Sequence, residues 1–135
     1  PVCIMHNRPK AEYGHFLIDM KKDLQRSLML ADAAGIARDQ IILDPGVGFG
    51  KTYEQNLAVL AHLDTFLDFE LPLLLATSRK SVIGLTLDLP VEEREEGTMV
   101  TSVLAALNHW DMVRVHDVEK NVRALRMTEK IMSLQ

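Results

Sequence analysis

Residues 41–55, "IILDPGVGFGKTYEQ", hold an apolar run, a glycine-rich turn and the start of a helical pattern in direct succession. Ile41 to Leu43 is a strand-sized run, and Thr52 followed three residues later by Gln55 is the pattern of a helix capping box. The stretch therefore reads as one strand-turn-helix unit. Its glycines first suggest a phosphate cradle, but Gly46 and Gly50 stand one residue too close for a P-loop. The dinucleotide fingerprint fails as well, because Lys51 stands where its third glycine belongs. On this reading Lys51 and Thr52 start and cap the next helix, the glycines let a flat ring approach the backbone, and Asp44 carries the chemical weight.

Working outward, the same unit recurs. Val2 to Met5, Leu73 to Ala76 and Met112 to Val115 are further apolar runs, each followed by polar residues and then a helical period. Tyr13, Phe16, Leu17, Met20, Leu24, Leu28, Ala31 and Ala34 recur at helical steps, with Gly35 placed to end that helix. Leu57, Leu60 and Leu63 follow the second run. A turn around "PVEERE" precedes a third helix over Thr98 to His109, with Val100, Val103, Leu104 and Leu107 inward. Asp117 is a good N-cap for a fourth, whose stripe is Val118, Val122, Leu125 and Met132. Continuous rather than alternating apolar strands predict a parallel sheet covered on both faces. Four strand-helix units over 135 residues make about half of a (β/α)8 barrel, which takes roughly 250 residues; an open four-stranded sheet fits the same periodicity.

Composition restricts the function classes. A net charge of -4 gives no general attraction to nucleic acid or to an anionic membrane surface, so any anion site must be local. No apolar run approaches the ~20 residues of a membrane span. The single cysteine, Cys3, excludes an intrachain disulfide and a cysteine-based metal cluster, which fits the cytoplasm, and its thiol is expected in the core. The chain also opens directly on an apolar run, as at a cut end.

In either architecture ligands meet the carboxyl ends of the strands. Those ends are "MHNRPK", "LDPGVGFGK", "ATSRKS" and "RVHD", and they gather His6, Asn7, Asp44, Arg79, Lys80, Arg114, His116 and Asp117. Asp44 could cap a turn or pair with Lys80; it could equally accept two parallel N–H bonds from a flat heterocycle such as a pterin. Lys80 offers a point charge, while Arg79 offers a planar fork. Arg114 and His116, two residues apart in a strand, share one face and form a compact anion site.

Taken together, "DPGVGFGK", "SRKS" followed by "IG", "EGT" and "RVHDV" resemble the dihydropteroate synthase family in order and spacing, over essentially the whole chain. The resemblance implies the second half of a (β/α)8 barrel, strands 5 to 8 with their helices, as a single unit over residues 1–135. It implies that Asp44 and Lys80 bind the pterin, that Arg114 lies against the pterin and reaches the pyrophosphate with His116, and that Met5 and Phe49 line the pterin and p-aminobenzoate pockets. Ser78 and Arg79 fall at the p-aminobenzoate end. The implied reaction joins p-aminobenzoate to 6-hydroxymethyl-7,8-dihydropterin diphosphate, releasing pyrophosphate with Mg2+ carried by the diphosphate, in a homodimeric enzyme that sulfonamides target. Ala76 departs from the family glycine, and the "MHNRPKA" loop is shorter than the common form. Strands 1 to 4 of the family are absent, so this chain by itself is expected to be inactive and to self-associate or exchange strands. A pterin- or anion-binding half-barrel without catalysis, and a methyltetrahydrofolate-type methyltransferase, are the competing readings.

Overall fold

In the computed structural model, which describes residues 1–135, the four expected units appear in order. They are β1 (Val2–Met5), α1 (Phe16–Ala33), β2 (Ile41–Asp44), α2 (Tyr53–Ala61), β3 (Leu74–Leu75), α3 (Ser81–Leu87), α4 (Glu95–Leu107), β4 (Met112–Val113) and α5 (Val118–Met132). β1 pairs with β2 and β3 with β4, both parallel, and a parallel bridge between Leu43 and Leu73 joins the two pairs into one row. No helix is long and apolar enough to cross a membrane.

Register sorts the strand side chains onto two faces. Ile4, Leu43, Leu75 and Val113 fall on the face that packs against the core, with Met20 and Leu24 of α1, Val59 of α2 and Val82 of α3. Successive residues alternate faces, so Cys3, Met5, Ile42, Asp44, Leu74, Ala76, Met112 and Arg114 lie on the other. That second face is open along β1, where Cys3 and Met5 are exposed. The expectations of a sheet covered on both faces and of a buried Cys3 are thus corrected: the core packs against one face, and Cys3 is an exposed thiol on the opposite one.

The helix signals held where they were chemical rather than apolar. Thr52 and Gln55 form a reciprocal capping box, and the Asp117 side chain accepts the Lys120 N–H. Gly35, at φ 77°, follows α1 as expected. Tyr13, however, lies before α1; its hydroxyl donates to the Gly50 carbonyl at 2.7 Å and its ring meets Phe16 edge-on. α3 was not expected. α4 starts earlier than Thr98, with Glu95 and Glu96 in its first turn, where carboxylates suit the helix dipole.

The inward face of α4 is also different from the expected one. Thr98, Thr101, Ser102 and Ala105 are buried, whereas Val100 and Leu107 are exposed and Val103 and Leu104 are half-buried. Small hydroxyl residues can face inward because each hydroxyl finds a partner: Thr98 donates to Arg94 O, Thr101 to Thr98 O, and Ser102 to Asn121 Oδ1 of α5. On α5 the buried residues are Asn121 and Thr128, while Val118, expected inward, is exposed.

Candidate active site

The site forms where the loops after the four strands meet. The turn after β2 carries Gly46, Gly48 and Gly50, all at positive φ. A Cβ on Gly46 would lie 1.9 Å from the His6 carbonyl oxygen, and one on Gly50 would lie 2.4 Å from the Arg8 carbonyl oxygen. These two glycines therefore let the β2 turn press against the β1 loop, rather than admit a ring to the backbone as the sequence suggested. Gly48 is fixed by its N–H donating to the buried Asn56 Oδ1 at 2.8 Å.

Asp44, at the end of β2, is 5% exposed, and its Oδ1 accepts the Gly46 N–H at 2.8 Å. It caps its turn and makes no ion pair with Lys80. Burial pushes its carboxyl above the ordinary value, against the opposing pull of the Gly46 N–H, Lys80, Arg114 and Lys51. Lys80, at the start of α3, instead donates to the Val47 carbonyl at 2.5 Å and places its ammonium 4.8 Å from the centre of the Phe49 ring. Burial lowers its pKa; Asp44 opposes that shift and Arg114 adds to it.

Ala76, Ser78, Lys80, Arg114, Val115 and His116 line a cleft of about 410 Å³ at the ends of β3 and β4. Arg114 and His116 are both exposed there, so the guanidinium need not be desolvated within this chain. Ser78 joins the two strand ends: its Oγ lies 2.7 Å from His116 Nδ1 and accepts the His116 backbone N–H at 3.1 Å. Met5 is partly exposed beside the Gly46 turn, and Phe49 is partly exposed under Lys80. Arg79 stands apart. It has φ 59°, its N–H donates to Thr98 Oγ1, and its Nε lies 3.9 Å from Glu95 Oε2, so it faces α4 and not the cleft.

Two site residues were read differently from the sequence. His6 is buried, with Nε2 2.9 Å from Asp23 Oδ2, and Arg8 Nε donates to the same oxygen at 2.7 Å. Lys51, taken as a helix start, turns into the site: Nζ meets His6 Nδ1 at 2.9 Å, Gly46 O at 3.0 Å and Phe49 O at 2.9 Å. A cation just ahead of a helix N-terminus opposes the dipole, and that unfavourable placement was the available signal that Lys51 is used elsewhere.

No group of three carboxylate, histidine or thiol side chains converges as a metal site. With Lys80 and Arg114 in the cleft, the donor set does not fit a protein-held Mg2+. What the arrangement offers is a recessed carboxylate on the sheet face opposite the core, an ammonium over an aromatic ring, and an arginine-histidine pair for an anion.

Such an α/β unit, with its ligand groups at the strand ends, is the architecture of pterin-binding barrels. A family model described as "Pterin binding enzyme" matches residues 1–116, and the chain belongs to that family. Among curated relatives it is 51% identical over 132 residues to the dihydropteroate synthase of Clostridium beijerinckii, a match covering 97% of this chain and 49% of that protein. It is similar to the solved Yersinia pestis dihydropteroate synthase bound to a pterine-sulfa conjugate, with TM-score 0.94 and 40% identity, over 100% of this chain and 53% of that one. It is also similar to the Clostridium difficile dihydropteroate synthase crystallised with pteroic acid, with TM-score 0.92 and 45% identity, over 96% of this chain and 49% of that one. The chain spans about half the length of the curated relatives it matches.

Proposed function

We propose that the chain is the second half of a dihydropteroate synthase barrel, strands 5 to 8, and carries the pterin- and diphosphate-binding side of that reaction. The observation that carries the proposal is the placement of buried Asp44 on the same sheet face as the cleft of Arg114 and His116. Asp44 would accept N–H bonds from the amino and ring N–H edge of the pterin, and its charge would offset positive charge developing on the ring. The Lys80 ammonium, 4.8 Å from the centre of the Phe49 ring, would donate to a polar edge of the pterin, with Phe49 as a wall of the pocket. Arg114 and His116 stabilise the negative charge gathering on the departing diphosphate, with His116 held by Ser78.

p-Aminobenzoate then attacks the exocyclic carbon from the Phe49 and Ser78 side. Arg79 takes that role only by leaving Glu95. Mg2+ arrives with the diphosphate oxygens, and no step here runs through it. A methyltransferase has no use for the cationic pair at the ends of β3 and β4. The exposed Leu107, Met127 and Ile131 of α4 and α5 suit a homodimer, and the lone cysteine suits the cytoplasm.

Calorimetric titration of the purified chain with pteroic acid and with pyrophosphate tests the proposal. Binding of both, with Asp44→Asn weakening the first and Arg114→Ala the second, is the expected result. Binding of neither would leave only a shared fold. Binding without turnover would fit a chain whose catalysis needs the remaining strands, whereas dihydropteroate formation at ordinary enzyme rates by the chain alone would overturn the half-barrel assignment.

A further inference from the structure

We propose that Lys51 is a positioning residue whose ammonium clamps the Asp44–Gly50 turn to the β1 loop and so sets the Phe49 wall of the pterin pocket. The three acceptors within 3.0 Å of Nζ come from two loops: Gly46 O and Phe49 O from the turn, and His6 Nδ1 from the end of β1. An ammonium has three N–H donors, which matches that set; a neutral amine has two and must release one acceptor. Lys51 and Asp23 together fix the tautomer of His6. Nδ1 accepts from Lys51, so the ring proton sits on Nε2 and donates to Asp23 Oδ2, which Arg8 holds from the other side.

The clamp thus runs from the Phe49 carbonyl through Lys51 and His6 to Asp23 on α1. No member of this chain lies among the residues lining the cleft of Ser78, Lys80, Arg114 and His116. The two arrangements meet only at the turn that carries Asp44 and Phe49. The inference rests on the pterin-site reading for its ligand effect, but the clamp itself has a readout independent of any ligand.

The charged and titratable groups facing Lys51 are Asp44 at the end of β2, Lys80 at the start of α3, Asp23 on α1, and His6 beyond β1, with Arg8 bonded to Asp23 behind them. Burial brings the lysine down to about 8, with Lys80 adding to the shift and Asp44 and Asp23 opposing it. Burial and the neighbouring Lys51 together lower His6. The ammonium is therefore lost within an accessible pH range, and the clamp loosens as pH rises through that value.

The test uses Lys51→Met, Lys51→Arg and the unaltered chain. Nitrogen-15 NMR of His6 is expected to show the Nε2–H tautomer in the unaltered chain, kept by Asp23, with the Nδ1 resonance shifting as pH rises through about 8 and the ammonium bond is lost. In Lys51→Met the His6 pKa is expected to rise. Pteroic acid affinity is expected to fall about tenfold in Lys51→Met, with partial recovery in Lys51→Arg, which keeps the charge. The unaltered chain should show an additional alkaline loss of affinity that Lys51→Met lacks.

An alkaline loss of the same size in Lys51→Met belongs to Lys80 or to the ligand and overturns the proposal. So does an unchanged His6 titration in that variant. Should Lys51→Met not fold, the pH series on the unaltered chain and Lys51→Arg still decides, because a His6 Nδ1 resonance indifferent to pH around 8 refutes the clamp. If pteroic acid fails to bind the unaltered chain at any pH, the pterin reading falls, while the His6 spectrum still reports on the clamp.

Discussion

Ser78 Oγ both faces His116 Nδ1 at 2.7 Å and accepts the His116 backbone N–H at 3.1 Å, so one hydroxyl ties the end of β3 to the end of β4. In the Nε2–H tautomer the hydroxyl donates to Nδ1 while accepting the backbone N–H, and Nε2–H projects from the pair. The imidazole beside Arg114 is thereby held in one orientation. Its value lies in aiming a donor rather than in holding the fold together.

Ser78→Ala should therefore weaken pyrophosphate binding about three- to tenfold while leaving stability within about 0.5 kcal/mol. Paired calorimetric titration and urea unfolding measure the two effects. A large loss of stability with unchanged pyrophosphate affinity would reverse the assignment.

Two glycines with similar backbone angles should respond differently to alanine. Gly35 has φ 77° and nothing within 4 Å of an added methyl, so Gly35→Ala should cost only the left-handed strain, about 1–2 kcal/mol. At Gly46, φ is 70° and the methyl would meet the His6 carbonyl at 1.9 Å, which forces the β2 turn off the β1 loop. Gly46→Ala should cost about 3 kcal/mol or more. Urea midpoints of the two variants compare them directly; equal losses would mean that the close approach is relieved cheaply.

These glycines also mark what could be read in the chain of residues alone. The strand starts, the Thr52–Gln55 box and the Asp117 cap were legible because each is a local pattern with a local cause. The parallel unit order followed from them. What the glycines accommodate was not legible, since the obstacle at Gly46 is a carbonyl forty residues earlier in the chain. Lys51 was misread for the same reason: its partners include His6, whose position depends on the pairing of β1 with β2. The inward face of α4 failed differently, because hydrogen-bonded Thr98, Thr101 and Ser102 pack where apolar periodicity pointed to Val100 and Leu107.

Asp44 gives a pH prediction with a definite sign. Its folded-state pKa is raised by burial, so the folded chain binds that proton more readily than the unfolded one. Its contribution to stability is full below the unfolded carboxyl value and is lost as pH rises through the higher folded one. Asp44→Asn keeps an oxygen for the Gly46 N–H and removes the buried charge, so at neutral pH it should be at least as stable as the unaltered chain. The same variant should lose pteroic acid affinity at least about tenfold. Guanidinium unfolding at about pH 4 and 7, alongside a ligand titration, checks both signs. A variant that was both less stable at neutral pH and unimpaired in binding would contradict the role given to this carboxylate.

Asp23 titrates in the opposite sense. Its bond from Arg8 is the largest cause holding its pKa below the ordinary carboxylate value, followed in the same direction by the bond from His6, with burial opposing both. The stability it contributes is therefore present above the unfolded value and disappears as pH falls through the lower folded one. Asp23→Asn should remove about 1 kcal/mol at neutral pH, a modest figure because the pair with Arg8 remains in contact with water. Below the folded pKa the loss should shrink towards zero, because the unaltered carboxyl is then neutral too. In Asp23→Asn, His6 should also titrate at a still lower pH, since the carboxylate is the group that favours its protonated form. Unfolding curves from about pH 3 to 7 give the first result and the imidazole proton shifts of His6 give the second. A stability difference independent of pH would show that Asp23 acts through packing rather than through its charge.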